Sequence, residues 1–207
     1  MLSERTTSMK AFLIRAKNIL VSPKNEWRAI KGEPATYKQV IAGYVAVLAA
    51  VPLAISAIET IAFGYGVKHG DRFASIRSLF MRYALWYVMI VVDIIILGAI
   101  ITAFVTPGGS QQDGRAGLKV AAYSATPLFM VGIVVSIPGM GWLAYGAVLY
   151  CVYLLYLGIS SLLDMEHSKA AWYAAASFMA AGVIIGVLNL FEYLFESYLA
   201  RTFILQG

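Results

Sequence analysis

A chain of 207 residues that is 60% hydrophobic and only 13% charged carries about half the charge of an ordinary soluble domain. It cannot coat a water-facing surface, so lipid must be its main solvent, and the one or two soluble domains its length would allow are excluded. The net charge of +5 does not point to nucleic acid: eight of the sixteen Lys and Arg fall within the first 38 positions, ahead of any apolar run, where they suit anionic headgroups and retention in the cytoplasm.

Residues 1–38 form a polar, basic segment. Within it Phe12, Leu13, Ala16, Ile19 and Leu20 recur at helical spacing among Lys10, Arg15 and Lys17. That pattern fits an amphipathic helix lying in the membrane interface, and it fits equally a helix packed on the end of a bundle. Pro23 ends it, Trp27 and Tyr37 are natural interface anchors, and Gly32 and Pro34 break the chain again. The following apolar run is too long for a signal-peptide core, so a cleavable leader is not expected.

Gln39 to Ile58 is free of charge for 20 residues, which rise about 30 Å as a helix and match the hydrocarbon thickness. Ala42, Ala46, Ala50 and Ala54 form a small-residue stripe there that would let another helix approach, and Pro52 should bend the span. After a basic connector, Val67 to Arg82, the second span holds Asp93 near its middle. One central aspartate costs about 2.5–3.5 kcal/mol on insertion, whereas the thirteen Leu, Ile, Val and Phe of Tyr83–Val105 return about 0.3–0.6 kcal/mol each, so the helix inserts. A glycine-rich polar loop, Pro107 to Gly117, follows. Val120 to Leu163 is then 44 residues without a charge, about twice a bilayer crossing, and must fold back at Pro138-Gly139-Met140-Gly141. Ala170 to Phe191 begins the last span, where Gly182 and Gly186 make a GxxxG pair suited to close packing, more often inside a bundle than between copies.

The expectation is an all-α, polytopic transmembrane bundle of five helices, at about 39–64, 83–105, 118–137, 142–163 and 171–198. The N-terminal segment 1–38 carries the amphipathic helix, 39–199 the membrane domain, and 200–207 a short tail. These runs are continuously apolar, unlike the alternating strands of a barrel. Eleven basic residues fall on the N-terminal side and five on the other, which predicts a cytoplasmic N-terminus and an outward C-terminus.

Signatures of hydrolases, phosphate loops, dinucleotide sites and zinc proteases are absent from the sequence. Neither a cofactor nor a metal site is expected. His69 and His167 fall on opposite sides of the expected membrane, and Cys151 reads as a small buried hydrophobe. What remains is acidic. No Lys or Arg lies inside an expected span to pair with Asp93, which should be neutral or face a water-filled cavity. It reads as a proton or cation relay, or as a carboxyl hydrogen-bonded between helices to a tyrosine or to Thr126. Glu59 ends span one, while Asn189, Glu192 and Glu196 share one stripe of span five at similar depth. Those carboxylates would bind a cation, or reach water and pair with Lys68, Arg72 or Arg77. Tyr145, Tyr150, Tyr153 and Tyr156 of span four would line a polar path or, in the simpler reading, pack.

The run Ala122-Tyr123-Ser124-Ala125-Thr126-Pro127-Leu128, then Ile137-Pro138, then Tyr150-Cys-Val-Tyr153-Leu-Leu-Tyr156-Leu-Gly158 resembles the Yip1 family of membrane proteins. Ser22-Pro23-Lys24-Asn25-Glu26-Trp27 resembles the segment ahead of the first span in prokaryotic members. The resemblance covers about residues 20–200 and implies five spans, a cytoplasmic N-terminus, a bacterial inner membrane and no catalytic residues. Eukaryotic relatives associate with Rab-type GTPases and have a longer N-terminal region, so the short segment here argues against that partner. The expected function is non-enzymatic: organising membrane, binding lipids and membrane proteins, and self-associating as a homo-oligomer. The alternative is a small proton- or cation-linked transporter or channel using the intramembrane carboxylates. A lipid-modifying enzyme would need a polar cluster that the sequence does not assemble.

Overall fold

The computed structural model of the chain describes residues 2–63, 76–105, 114–135, 137 and 139–204. Every regular element among them is a helix. Two helices precede the membrane domain, α1 (Leu2–Val21) and α2 (Pro23–Gly32). Five helical stretches are then long and apolar enough to cross a bilayer: Tyr37–Ile61, Phe80–Phe104, Gly114–Val134, Leu143–Leu162 and His167–Phe191, spans one to five.

Span one begins where Thr36 and Gln39 cap each other: the Thr36 hydroxyl accepts from the Gln39 amide and the Gln39 side chain accepts from the Thr36 amide. The span runs through α3 (Tyr37–Val40), a wider π-helical turn at Ile41–Val45, and α4 (Ala46–Phe63). Span two lies in α5 (Ile76–Val105), which starts ahead of the expected Tyr83 and draws Arg82 into the helix, over the rings of Tyr83 and Trp86. Span three is α6 (Gly114–Ser124) followed by α7 (Thr126–Val134). Its first turns occupy part of the expected polar loop, because Lys119 and its neighbours are buried there rather than solvated. Gly139, with φ of +86°, makes the turn into α8 (Leu143–Leu162), as the breaker cluster implied. Asp164, in the left-handed region with φ of 50°, closes α8 ahead of α9 (His167–Ile204).

Span three is the centre: α6 packs on α5 and α8, while α7 packs on α4 and α8. The closest approach is to span two. A Cβ at Gly98 would lie 2.8 Å from the Leu118 Cα, and one at Gly117 would lie 2.5 Å from the Gly98 carbonyl and strike Thr102. Span five is held from one side, by α5 and α8.

Of the small residues on span one, Ala46 is half-buried and its carbonyl accepts from the Tyr87 hydroxyl of span two at 3.2 Å. Ala42, Ala50 and Ala54 face outward, and the inward side of span one is Val40, Tyr44, Val45, Leu48 and Ala49, because the larger side chains fill the space around span three. Gly182 and Gly186 are exposed, and an added Cβ at either would meet nothing within 4 Å among the described residues. Pro52 packs beside Gly132 of span three.

Candidate functional site

The polar atoms of this bundle gather where the N-terminal helices meet spans one, three and four. Pro23 does not simply end a helix. It opens α2, since a first helical position needs no amide donor. The α2 face carrying Trp27 and Ile30 turns into the bundle, and Trp27 is fully buried rather than anchored in the interface. Its ring lies against Gly158, where an added Cβ would sit 2.9 Å from the indole and 3.1 Å from Val120. Glycine at 158 is therefore the seat of Trp27. The edge of the Trp27 ring faces Tyr123, centroids 6.2 Å apart.

Charge closes over this contact. Arg15 Nε lies 3.2 Å from Glu26, its Nη2 donates to Glu33 at 2.5 Å, and its guanidinium sits 5.8 Å over the Tyr123 ring. Asn18 Nδ2 donates to the other Glu26 oxygen at 3.0 Å. Lys119 donates to the Ile30 carbonyl at 3.1 Å, which also accepts from the Glu33 amide, and to the Glu33 carbonyl at 2.6 Å, just past the end of α2. Lys31 pairs with Asp164 beyond span four, and Tyr150 donates to the Leu20 carbonyl at 2.7 Å. The α1 helix is thus packed on the bundle by Ala16 and Ile19, with Phe12 on Tyr44 at 5.4 Å.

Deeper in the bundle, Pro127 has no amide to offer the Tyr123 carbonyl one turn back. The Thr126 hydroxyl donates to that carbonyl at 2.7 Å instead. Its single proton being spent, Thr126 accepts from the Tyr44 hydroxyl at 2.8 Å, and the Tyr44 and Tyr123 rings meet edge-on at 4.6 Å. Tyr44, not Asp93, is the partner of Thr126.

The acidic candidates lie apart from this cluster. Asp93 sits on the inward stripe of span two between Ile90 and Leu97, with a buried carboxyl oxygen that has no hydrogen-bond partner among the described residues. Glu59 is half-buried on span one, which packs on spans two and three. Asn189 is exposed on span five and bonds its own helix at the Ile185 carbonyl, 2.8 Å. The side chains of Glu192 and Glu196, and residues Lys68, His69 and Arg72, lie outside the described residues. Among the described residues no group of three or more His, Cys, Asp and Glu is placed to hold a metal. Of the span-four tyrosines, Tyr145 is exposed, Tyr153 lies near Tyr150, and Tyr156 bonds His167 Nδ1 at 2.9 Å. Cys151 is buried.

Composition alone did not single out Arg15, Glu26, Glu33, Lys119 or Tyr44. The available signal was the spacing of Trp27 and Ile30 beside a carboxylate, and a lysine immediately ahead of the charge-free tract that begins at Val120. The three short motifs described above, around Trp27, Thr126-Pro127 and Gly158, are brought by the fold into one contact.

Comparison with known proteins gives the following. A family model described as the Yip1 domain matches residues 17–188. The inner membrane protein YohC of Escherichia coli strain K12 is 32% identical over 193 residues, covering 89% of this chain and 92% of the relative. YohC of Escherichia coli O6:H1 matches with the same identity and coverage. No solved structure matches.

Proposed function

The chain belongs to the Yip1 family of integral membrane proteins, and from that premise we propose that it is a non-enzymatic organiser of the bacterial inner membrane. In this reading its N-terminal end is cytoplasmic and gathers anionic lipid, and span five associates with a second copy or with other membrane proteins. The observation that supports it most is the division of labour among the spans. Polar groups tie α2 to span three through Lys119, α1 to span four through Tyr150, α1 to α2 through Arg15, and span one to span three through Tyr44 and Thr126. Span five meanwhile presents Gly182 and Gly186 outward, with exposed Met179, Val183 and Leu190 beside them. Small residues on an outward helix face permit close approach of another helix in lipid. The excess of basic residues on the α1–α2 side supports the orientation.

The test is the mass of the protein in detergent-free nanodiscs or by light scattering, with Gly182→Leu and Gly186→Leu beside the native chain. An oligomer that falls to monomer in both variants supports the reading, and a native chain that stays monomeric at every concentration refutes self-association. One observation favours a second reading, a proton- or cation-linked transporter: the carboxyl oxygen of Asp93 inside span two, which has no hydrogen-bond partner among the described residues. Flux into proteoliposomes that vanishes in Asp93→Asn would put transport first.

A further inference from the structure

We infer that α1 is held between protein and lipid: one face grips the bundle, and the opposite face lies in the cytoplasmic leaflet, its apolar side chains among acyl chains and its lysines on anionic headgroups. This rests on the lipid-gathering part of the function proposed above and gives it an address.

Accessibility and periodicity divide the helix in the same way. Phe12, Arg15, Ala16 and Ile19 share the side that meets the bundle. At about 100° per residue, Lys10, Leu13, Ile14, Lys17 and Val21 fall within an arc of about 100° on the far side. All five are exposed, Leu13 at 59%, Ile14 at 57% and Val21 at 70%. From Lys10 to Val21 the helix holds no acid. Among the described residues no ion pair engages Lys10 or Lys17, whereas Arg15 on the inward side is committed to Glu26 and Glu33. The cations of the outward face keep their charge for something outside the fold.

Depth selects lipid over a soluble partner. The α1 helix packs on α7, which starts at Thr126. Thr126 is six positions beyond Val120, where the charge-free tract opens, and so lies about 9 Å into it at 1.5 Å per residue. Phe12 meets Tyr44, whose hydroxyl bonds that same Thr126. The Leu20 carbonyl accepts from Tyr150, twelve positions before Leu162 at the end of span four, or about 18 Å along the helix. Apolar side chains on the far side of a helix at that level stand among acyl chains. In water the same face would be a standing apolar patch. A lysine lays its aliphatic stem along apolar surface and turns its ammonium towards phosphate. Lys10 and Lys17 among Leu13, Ile14 and Val21 have the pattern of a helix seated in an interface, and the cytoplasmic leaflet supplies the anionic headgroups. The spacing of α1 suits interface and bundle equally, and the fold assigns one face to each.

The experiment uses the full chain in vesicles of phosphatidylglycerol and phosphatidylcholine, with Cys151, the buried native thiol, changed to alanine. A nitroxide is placed in turn at Ile14→Cys and Val21→Cys, and its collisions with dissolved oxygen and with a water-soluble nickel chelate are compared. Two references come from span five: Lys169→Cys at its start, and Ala175→Cys, exposed and about 9 Å further in. Labels at 14 and 21 should match Ala175, with oxygen collisions several-fold favoured. Labels that match Lys169 would turn the face to the cytosol, open to a soluble partner, and overturn the proposal. In the same lipid mixture, native mass spectrometry reads which lipid is retained. Lys10→Gln with Lys17→Gln should lower the preference for phosphatidylglycerol by roughly tenfold or more, while Lys24→Gln with Arg28→Gln, exposed cations of α2, should leave most of it. Equal loss in the two double variants would mean diffuse surface attraction and overturn the assignment to α1. A native preference that survives Lys10→Gln with Lys17→Gln refutes this face alone and leaves the lipid-gathering reading standing; a native chain with no preference removes both.

Discussion

Span three has the lowest mean hydropathy of the five spans, 1.4, and 61% of its apolar stretch lies inside the bundle; span five, at 2.0, has 17% inside. In water the order would be reversed, because apolar surface is driven inward. In a bilayer the surroundings are as apolar as any core, so apolar bulk carries no instruction to go inside. What goes inside is whatever lipid cannot satisfy: a lysine, a Thr-Pro break with its freed carbonyl, and glycines that let backbones touch. Span three holds all of these, at Lys119, Thr126-Pro127 and Gly117. Along its exposed stretch, span five offers Val183, Val187 and Leu190 to lipid.

Substitutions can sharpen or break this contrast, with unfolding in detergent as the common measurement. Trp27→Ala removes the largest fully buried side chain, seated on spans three and four, and should cost about 3–5 kcal/mol. Gly117→Leu forces a side chain into the backbone of span two and should cost about 3 kcal/mol. Lys119→Met takes its donor from the Glu33 carbonyl and leaves the Ile30 carbonyl only the Glu33 amide, for about 1–3 kcal/mol, and should admit protease to α2 at unchanged temperature. Thr126→Val strands the Tyr123 carbonyl and the Tyr44 hydroxyl, for about 1–2 kcal/mol. Gly182→Leu on span five should move monomer stability by less than about 0.5 kcal/mol, since nothing lies near the added side chain. If the Gly182 change proved as costly as the Gly117 change, the inside–outside assignment of the two spans would fail.

The five spans could be read from hydrophobic extent because insertion depends on a sum over about twenty residues, and single residues such as Asp93 barely alter it. Boundaries were less legible where a charge is hidden by tertiary structure. Lys119 falls at the very edge of the expected third span, and its burial is explained only once the end of α2 is seen to cover it; Arg82 reads as a connector residue until its aromatic neighbours are known. The polar cluster was harder still. Arg15 and Glu26 sit eleven positions apart in a segment whose spacing suits the interface as well as the bundle, and their pairing depends on the turn at Ser22 between two helices. Ala42, Ala50 and Ala54 share a face by periodicity, but periodicity cannot say which face meets protein and which meets lipid when both are apolar. Thr126, Pro127 and Gly158 stood out by family resemblance, and their physical reasons emerged only with Trp27 and Tyr44 beside them.

The Trp27–Gly158 contact also orders events in time. The two residues are separated by 131 positions, so when α2 leaves the ribosome its receptor has not been synthesised. The segment must wait at the membrane surface, basic and uncommitted, while three further spans are made. Only the arrival of span four offers the indole its seat at Gly158, whereas Lys119, on span three, is made one span earlier. The seating of Trp27 therefore cannot be completed before residue 158 has been made, however early α2 itself forms.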